Sequence, residues 1–287
     1  MGVFTRNIEK KSKHSNSKSQ EPSRATRGSH HYYEVDLHAM RGDFKSFARR
    51  HGIDYEFAKE AGLDTCLAFL ERYYNDEIDG NMTPEECDML YSLIEDPWDC
   101  SRLQRHRVLA RVASQVAREG RSRINDVLIL GAGIGGEYKA LARLFPTARY
   151  TVTDVSTKAL ASFRRRFQSR SVHDIARLDV FSIEALQQFT GDHGEGFDLI
   201  VASGLFRYAP DRSSRRRSAS HVYSHLLRPG GLFLVAEVRQ DPAHDDPRLL
   251  SRTTAFNESF RTSTRKNPTQ VVVYRRGRDG RAGGVDQ

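Results

Sequence analysis

The 287-residue sequence predicts an α/β protein: a doubly wound, mostly parallel sheet with a C-terminal antiparallel hairpin, preceded by an all-α cap. Three observations predict it. Beyond residue 121 short apolar runs alternate with segments of helix length, the rhythm of βαβ crossovers around a buried parallel sheet. Between residues 33 and 120 apolar residues recur at spacings of three and four, with no convincing strand. The first apolar run beyond 121 opens directly into a glycine-rich turn, which lets the backbone approach a ligand closely.

The chain divides into four stretches: a basic tail over 1–32, a helical cap or lid over 33–120, the α/β domain over 121–277 and a second tail over 278–287. Both tails are poor in large apolar residues and are expected to be disordered, because they bury too little surface to offset ordering entropy. They also explain the charge. The net charge is +8, of which residues 1–31 supply +5 and 275–287 supply +2, so the part between them carries only +1. A basic tail adds a weak, salt-sensitive attraction to polyanions but is no recognition surface by itself. No run of 18 apolar residues is present, and Arg6 breaks a myristoylation pattern. A soluble cytoplasmic protein with no membrane partner is therefore expected. The three cysteines, Cys66, Cys87 and Cys100, form no CxxC pair; neither a metal site nor a disulfide framework is expected.

The cap reads as helices built on Phe44 and Phe47, on Tyr55, Phe57 and Ala58, and on Leu67, Phe69, Leu70, Tyr73 and Tyr74. Thr83-Pro84-Glu85-Glu86 is a helix start: Thr83 at the N-cap, Pro84 in the first helical position and Glu86 completing a capping box. Residues 71–99 carry ten acids against the single base Arg72. That is either a solvated acidic face or a rim attracting a cationic substrate or the basic tail. His30, His31, Tyr32, Tyr33 and His38, just before the helices, could fold over a ligand as a lid. In the α/β part the predicted strands are 127–130, 150–153, 175–178, 199–202 and 232–236, with helices over 136–144 and 157–170. Phe260–Thr264 and Val271–Arg275, joined across Lys266-Asn267-Pro268, read as the closing hairpin.

The strongest local signal is the run from Val127 to Tyr138, in which Gly131, Gly133, Gly135 and Gly136 lie between a strand and a helix. The helix start offers free N–H groups to an anionic or polar ligand. Asp154 ends the next strand, placed to accept hydrogen bonds from a ribose diol. On these residues alone a dinucleotide cofactor, NAD or FAD, fits as well as an adenosyl cofactor.

The remaining motifs carry a resemblance. Leu130-Gly131-Ala132-Gly133-Ile134-Gly135-Gly136, Asp154, Asp179 within Arg177-Leu178-Asp179-Val180-Phe181, the strand Phe197–Ser203 led by Asp198, and Leu227-Arg228-Pro229-Gly230-Gly231 before its strand occur in the order and spacing of one family. In these the sequence resembles the class I S-adenosylmethionine-dependent methyltransferases, Rossmann-like enzymes, through residues 124–276. The resemblance implies S-adenosylmethionine as cofactor and an enzyme that transfers its methyl group. It implies that Gly131, Ala132, Gly133 and Gly135 pass beneath the methionine part and that Asp154 holds the ribose. It places Val155 on the adenine, Asp179 and Val180 at the adenine edge, and Ser203 beside the sulfonium.

The segment after the fourth strand bears on the acceptor. Relatives acting on exocyclic amines of adenine or on glutamine amides carry Asn/Asp-Pro-Pro-Tyr there, whereas this chain has Ser203-Gly204-Leu205-Phe206-Arg207-Tyr208-Ala209-Pro210-Asp211. That resembles the loop of small-molecule O-, N- and C-methyltransferases, and it implies a small-molecule acceptor with Tyr208 facing it, as a catalytic candidate. Two alternatives stay open. One is an RNA methyltransferase in which the tails and the loop Arg212–Arg217 contact phosphates; the other is a non-catalytic scaffold of the same fold. Arg164-Arg165-Arg166 reads as a solvated helix face. His221 and His225, one turn apart with no third ligand, read as surface or packing histidines rather than a metal pair.

Overall fold

The computed structural model describes residues 36–74, 82–95, 104–119, 123–167, 171–194, 196–238, 257–261 and 269–277. The tails, the pair Tyr32 and Tyr33 with His30 and His31, and Cys100 lie outside them. Seven strands form one sheet: β1 (Asp126–Leu130), β2 (Arg149–Asp154), β3 (Val172–Arg177), β4 (Phe197–Ser203), β5 (Leu227–Val238), β6 (Asn257–Arg261) and β7 (Thr269–Arg275). Their order is β3-β2-β1-β4-β5-β7-β6. The first five are parallel, and β7 runs antiparallel between β5 and β6.

Parallel strands covered on both faces need apolar residues at every position, and Asp126–Leu130 is buried throughout. Alternate residues feed opposite cores. Val127, Ile129, Val152, Val201 and Leu234 pack under one helical layer, while Leu128, Leu130, Ile200, Ala202 and Phe233 pack under the other. The second layer is α9 (Ile183–His193) and α10 (Arg212–His221). The first contains α6 (Gln104–Glu119), α7 (Gly136–Leu141) and α8 (Thr157–Arg166).

The helices before α6 are α1 (Leu37–Gly42), α2 (Phe44–His51), α3 (Tyr55–Ala61), α4 (Leu63–Tyr74) and α5 (Pro84–Leu93). They close around a core of their own that includes Met40, Phe47, Ile53, Leu70, Tyr73, Leu90 and Leu93. Asp36, Asp43, Asp54 and Thr83 cap α1, α2, α3 and α5 with side-chain oxygens, and the Thr83–Glu86 capping box is formed. The helical stretch expected over 33–120 therefore splits. Leu109, Ala113 and Val116 of α6 pack with the sheet, not with α1–α5.

Boundaries shift where local chemistry misled the reading. The helix expected to Arg170 ends at Arg166, where Phe167 leaves the helical region at φ −128° and its N–H still bonds Phe163. The outermost parallel strand, β3, begins three residues before the apolar run that announced it, because it is half-solvated rather than buried. β5 starts at Leu227 instead of Leu232, the turn-forming Arg228-Pro229-Gly230-Gly231 being taken up as an irregularity in the β4 pairing. β6 ends at Arg261, and residues 262–268, which include the expected Lys266-Asn267-Pro268 turn, lie outside the described residues.

Arg228 shows why that turn matters. Its Nη1 reaches Asp126 Oδ2 at 2.8 Å and Asp198 Oδ1 at 3.1 Å, and Asp198 Oδ2 accepts from the N–H groups of Asn125 and Asp126. One guanidinium thus ties β1, β4 and β5 at the sheet end opposite the ligand side. Arg228→Ala should lower Tm by about 3–6 °C, roughly 1–2 kcal/mol, with the Kd for cofactor unchanged; calorimetric melting and a binding titration check both.

Candidate active site

Between β1 and β4 the strand order reverses, and a crevice opens outside the carboxyl ends of the strands at such a point. A cavity of about 340 Å³ lies there. Its floor is Gly131, Ala132 and Gly133 after β1, with Asp154 and Val155 after β2, Asp179 and Val180 after β3, and Ser203 at the end of β4. Eight of the nine residues expected at a cofactor converge on it. The exception is Gly135, which does not border the cavity. A Cβ on Gly135 would come within 2.4 Å of Phe167 Cε2 and 2.7 Å of Phe163, so this glycine makes room for aromatic packing behind the loop.

Gly131 and Gly133 adopt φ of +62° and +53°, left-handed backbone in which a side chain is strained. Added Cβ atoms would also lie 2.9 Å from Leu205 Cδ1 and 2.7 Å from Tyr91 Oη. The loop is thus bare backbone facing the cavity. Asp154 holds it: Oδ2 accepts from Gly133 N–H at 2.8 Å and Oδ1 from Ser156 N–H at 2.9 Å. Burial raises the Asp154 carboxyl to about 6 despite those two bonds. Asp179 Oδ1 accepts from Phe181 N–H at 2.9 Å, which turns the chain so that residues 178–181 border the cavity. The Ser203 hydroxyl is buried in the wall and has no hydrogen-bond partner within the described residues, a group left for a ligand to satisfy.

The opposite wall comes from α5 and the segment after β4. Met82, Thr83, Pro84, Cys87, Leu90 and Tyr91 contribute from the first, and Leu205, Arg207, Tyr208 and Pro210 from the second. Tyr208 sits in a short 3₁₀ turn, Phe206–Tyr208, with the Arg207 guanidinium 5.7 Å from its ring centre. Burial, with nearby Asp154 and Asp88 adding to it, pushes the Cys87 thiol up to about 12, so it stays protonated.

Sequence reasoning missed the α5 wall, although Thr83, Cys87, Leu90 and Tyr91 fall on one helical face. It also missed Asp88, which joins α5 to the start of α8 by accepting from Ser156 Oγ at 2.6 Å, Thr157 Oγ1 at 2.9 Å and Lys158 N–H at 3.2 Å. Besides Glu85, the four acids of this stretch that fall among the described residues have partners: Asp88 has those just named, and Glu71, Glu86 and Glu95 have arginines. Glu71 pairs with Arg41, Glu86 with Arg72, and Glu95 with Arg166, with Arg165 at 3.8 Å. Arg164 donates to the Ile175 carbonyl, so the triple-arginine face is a structural seam.

Arg212–Arg217 is not a loop beside the cavity but the start of α10, capped by Asp211, whose carboxylate accepts from Ser214 N–H at 2.8 Å. Among the described residues these arginines do not border the cavity. His221 Nε2 lies 2.9 Å from Thr190 Oγ1 and its ring lies 4.6 Å from that of His225. No group of three metal-ligating side chains occurs among the described residues. No helix among them is long and apolar enough to cross a membrane.

Comparisons with known proteins agree with this geometry. Residues 128–233 match the family described as "Methyltransferase domain". A highly reducing polyketide synthase of Aspergillus aculeatus is 35% identical over 137 residues, 46% of this chain and 5% of that protein; the chain spans about one-twentieth of the length of the polyketide synthases it matches. A fatty-acid O-methyltransferase of Mycolicibacterium smegmatis is 26% identical over 224 residues, 74% of this chain and 67% of that protein. Among solved structures, the N-methyltransferase NodS of Bradyrhizobium japonicum with S-adenosyl-L-homocysteine superposes with a TM-score of 0.50 at 19% identity, covering 67% of this chain and 97% of that one. Residues 128–233 of this chain are thus similar to a methyltransferase domain, in a sheet that shares the Rossmann-like fold of that N-methyltransferase.

Proposed function

We propose that the chain is an S-adenosylmethionine-dependent methyltransferase whose acceptor is a small molecule with an apolar body. The observation that carries the acceptor reading is the second wall of the cavity, where Met82, Pro84 and Leu90 of α5 face Leu205, Tyr208 and Pro210. The likeness to a fatty-acid O-methyltransferase over 224 residues supports it.

The site fits the cofactor: the loop backbone is bare, Asp154 and Asp179 stand at neighbouring strand ends, and the Ser203 hydroxyl is buried without a partner. When bound, the cofactor supplies an electrophilic methyl group on a sulfonium. The Asp154 carboxylate would accept from the ribose hydroxyls, Val155 would pack on the adenine with Asp179 and Val180 at its edge, and Ser203 would border the reaction centre. Methyl transfer is an in-line displacement, so the protein's main contribution is to align the acceptor and exclude water. Helix α5 supplies one side of the acceptor pocket, the segment after β4 supplies the other, and Tyr208 touches the acceptor.

Titration calorimetry with S-adenosylmethionine and S-adenosylhomocysteine, with NADH and FAD as controls, tests the cofactor. Micromolar binding of the first pair alone is expected. Binding of NADH or FAD instead overturns the assignment. For the acceptor, turnover of apolar small molecules carrying a carboxyl, phenol or amine is expected; turnover of RNA alone overturns that reading. Tyr208→Phe separates two roles. Raising KM about tenfold with kcat within a few-fold fits a residue that orients the acceptor, as expected here, whereas a loss of about 100-fold or more in kcat assigns proton removal to the phenol.

A further inference from the structure

A second pair of ionisable groups, one of which borders the cavity, has no part in the roles above. Glu137, on the first turn of α7 directly after the glycine loop, is only 4% exposed and borders the cavity beside Gly131–Gly133 and Asp154. His106 of α6, 3% exposed, has Nε2 at 2.8 Å from Glu137 Oε1. That is an ion-pair distance without the alignment of a hydrogen bond, and His106 Nδ1 makes none within the described residues. A buried ion pair contributes little net stability compared with apolar residues of the same volume. Its neighbours on the same short helix, Tyr138 and Leu141, show that apolar side chains fill this layer. A carboxylate retained here, against the desolvation penalty and within the field of Asp154, points to a positively charged ligand group.

S-adenosylmethionine and its demethylated product both end in an amino acid, whose ammonium group is such a cation, and the glycine loop is the part of the site assigned to that end. We infer that Glu137, oriented by His106, receives the α-ammonium group of the cofactor, an inference that rests on the cofactor reading above. Glu137 is then a binding residue and His106 a positioning residue, and both act on affinity for the amino-acid end rather than on the adenosine end, which Asp154 and Asp179 hold.

The test compares three ligands on two proteins by titration calorimetry: S-adenosylhomocysteine, its deaminated analogue, and 5′-methylthioadenosine, which lacks the amino-acid part. On Glu137→Gln, S-adenosylhomocysteine should bind roughly 10- to 100-fold more weakly. The other two should stay within about twofold of their affinity for the unmodified protein, because neither carries the ammonium group. Equal weakening of all three, or an unchanged affinity for S-adenosylhomocysteine, overturns the inference. Should Glu137→Gln fail to fold, the apolar double replacement Glu137→Leu with His106→Leu keeps the test, with the same ligand-selective loss expected. If the unmodified protein binds none of the three, the cofactor reading itself has failed. If it binds all three alike, only the ammonium assignment has.

Discussion

Asp154→Ala is expected to weaken binding of S-adenosylmethionine by about 100-fold or more while leaving the protein folded. Two charge-assisted hydrogen bonds to ribose hydroxyls, at about 1.5–3 kcal/mol each, account for that loss. Folding survives because the carboxylate is not a net stabiliser. Burial raises its carboxyl to about 6, so the native state keeps a proton that the unfolded chain releases near 4. Between those values native stability falls as pH rises, and above 6 a penalty of about 3 kcal/mol remains. Removing the group relieves the penalty but leaves the Gly133 and Ser156 N–H groups short of their acceptor, at about 1–3 kcal/mol each. The two effects nearly offset, so Tm should move little. The unmodified protein should show a constant Kd above about pH 7, rising up to about tenfold per unit as pH falls below 6 and the acceptor oxygens protonate. Asp154→Asn should bind weakly without that pH dependence. Full affinity in Asp154→Ala would remove the ribose role from this residue.

The sheet and its glycine loop were legible because their signals are local. A buried parallel strand must be continuously apolar, a left-handed turn must be glycine, and the acid at a strand end is fixed by the strand's own length. Asp154 could therefore be placed from one dimension, Asp179 and Ser203 only through the family resemblance, and in the structure all three border one cavity. Gly135 was misread for the same reason: its left-handed φ is a local signal, but the atoms that require it, in Phe163 and Phe167, arrive from more than twenty residues away. The chain position of Arg212–Arg217 told nothing of the Asp211 cap that turns it into a helix whose arginines do not border the cavity.

What stayed hidden is the cap. Its helices could be read from period and caps, but their docking depends on side chains that meet only in three dimensions. Asp88 looks like one acid among ten until Ser156 and Thr157 stand opposite it. Glu137 lies in the middle of the most informative motif in the chain, yet nothing in the sequence announces His106, thirty-one residues earlier on α6, as its partner. Pairing between distant helices carries no periodic signature, so this half of the cavity is defined only by three-dimensional packing.

Asp88→Ala should speed dissociation of the cofactor by roughly 10- to 100-fold and lower Tm by about 4–8 °C, the expected effect of losing about 2 kcal/mol of charge-assisted hydrogen bonding. The reason lies in how α5 is held. Asp88 is the point at which the cap grips the α8 start, one residue beyond Val155 in the cavity wall, while Tyr91 of the same helix lies over Gly133. The Glu95 contacts with Arg165 and Arg166 are mostly exposed, and such pairs contribute about 0–1 kcal/mol; Glu95→Ala is therefore the control and should leave dissociation almost unchanged. The grip also persists across neutral pH. Burial alone would raise the Asp88 carboxyl, but the Ser156, Lys158 and Thr157 donors together hold it below its ordinary value, so its contribution is complete above the unfolded value near 4 and is lost only as pH falls through the lower folded one. Stopped-flow displacement of bound S-adenosylhomocysteine reads the rate directly. A faster release in Asp88→Ala makes α5 the gate through which cofactor and product pass. An unchanged release rate with a lowered Tm would make the Asp88 contacts a matter of stability alone, and α5 a fixed wall of the acceptor pocket.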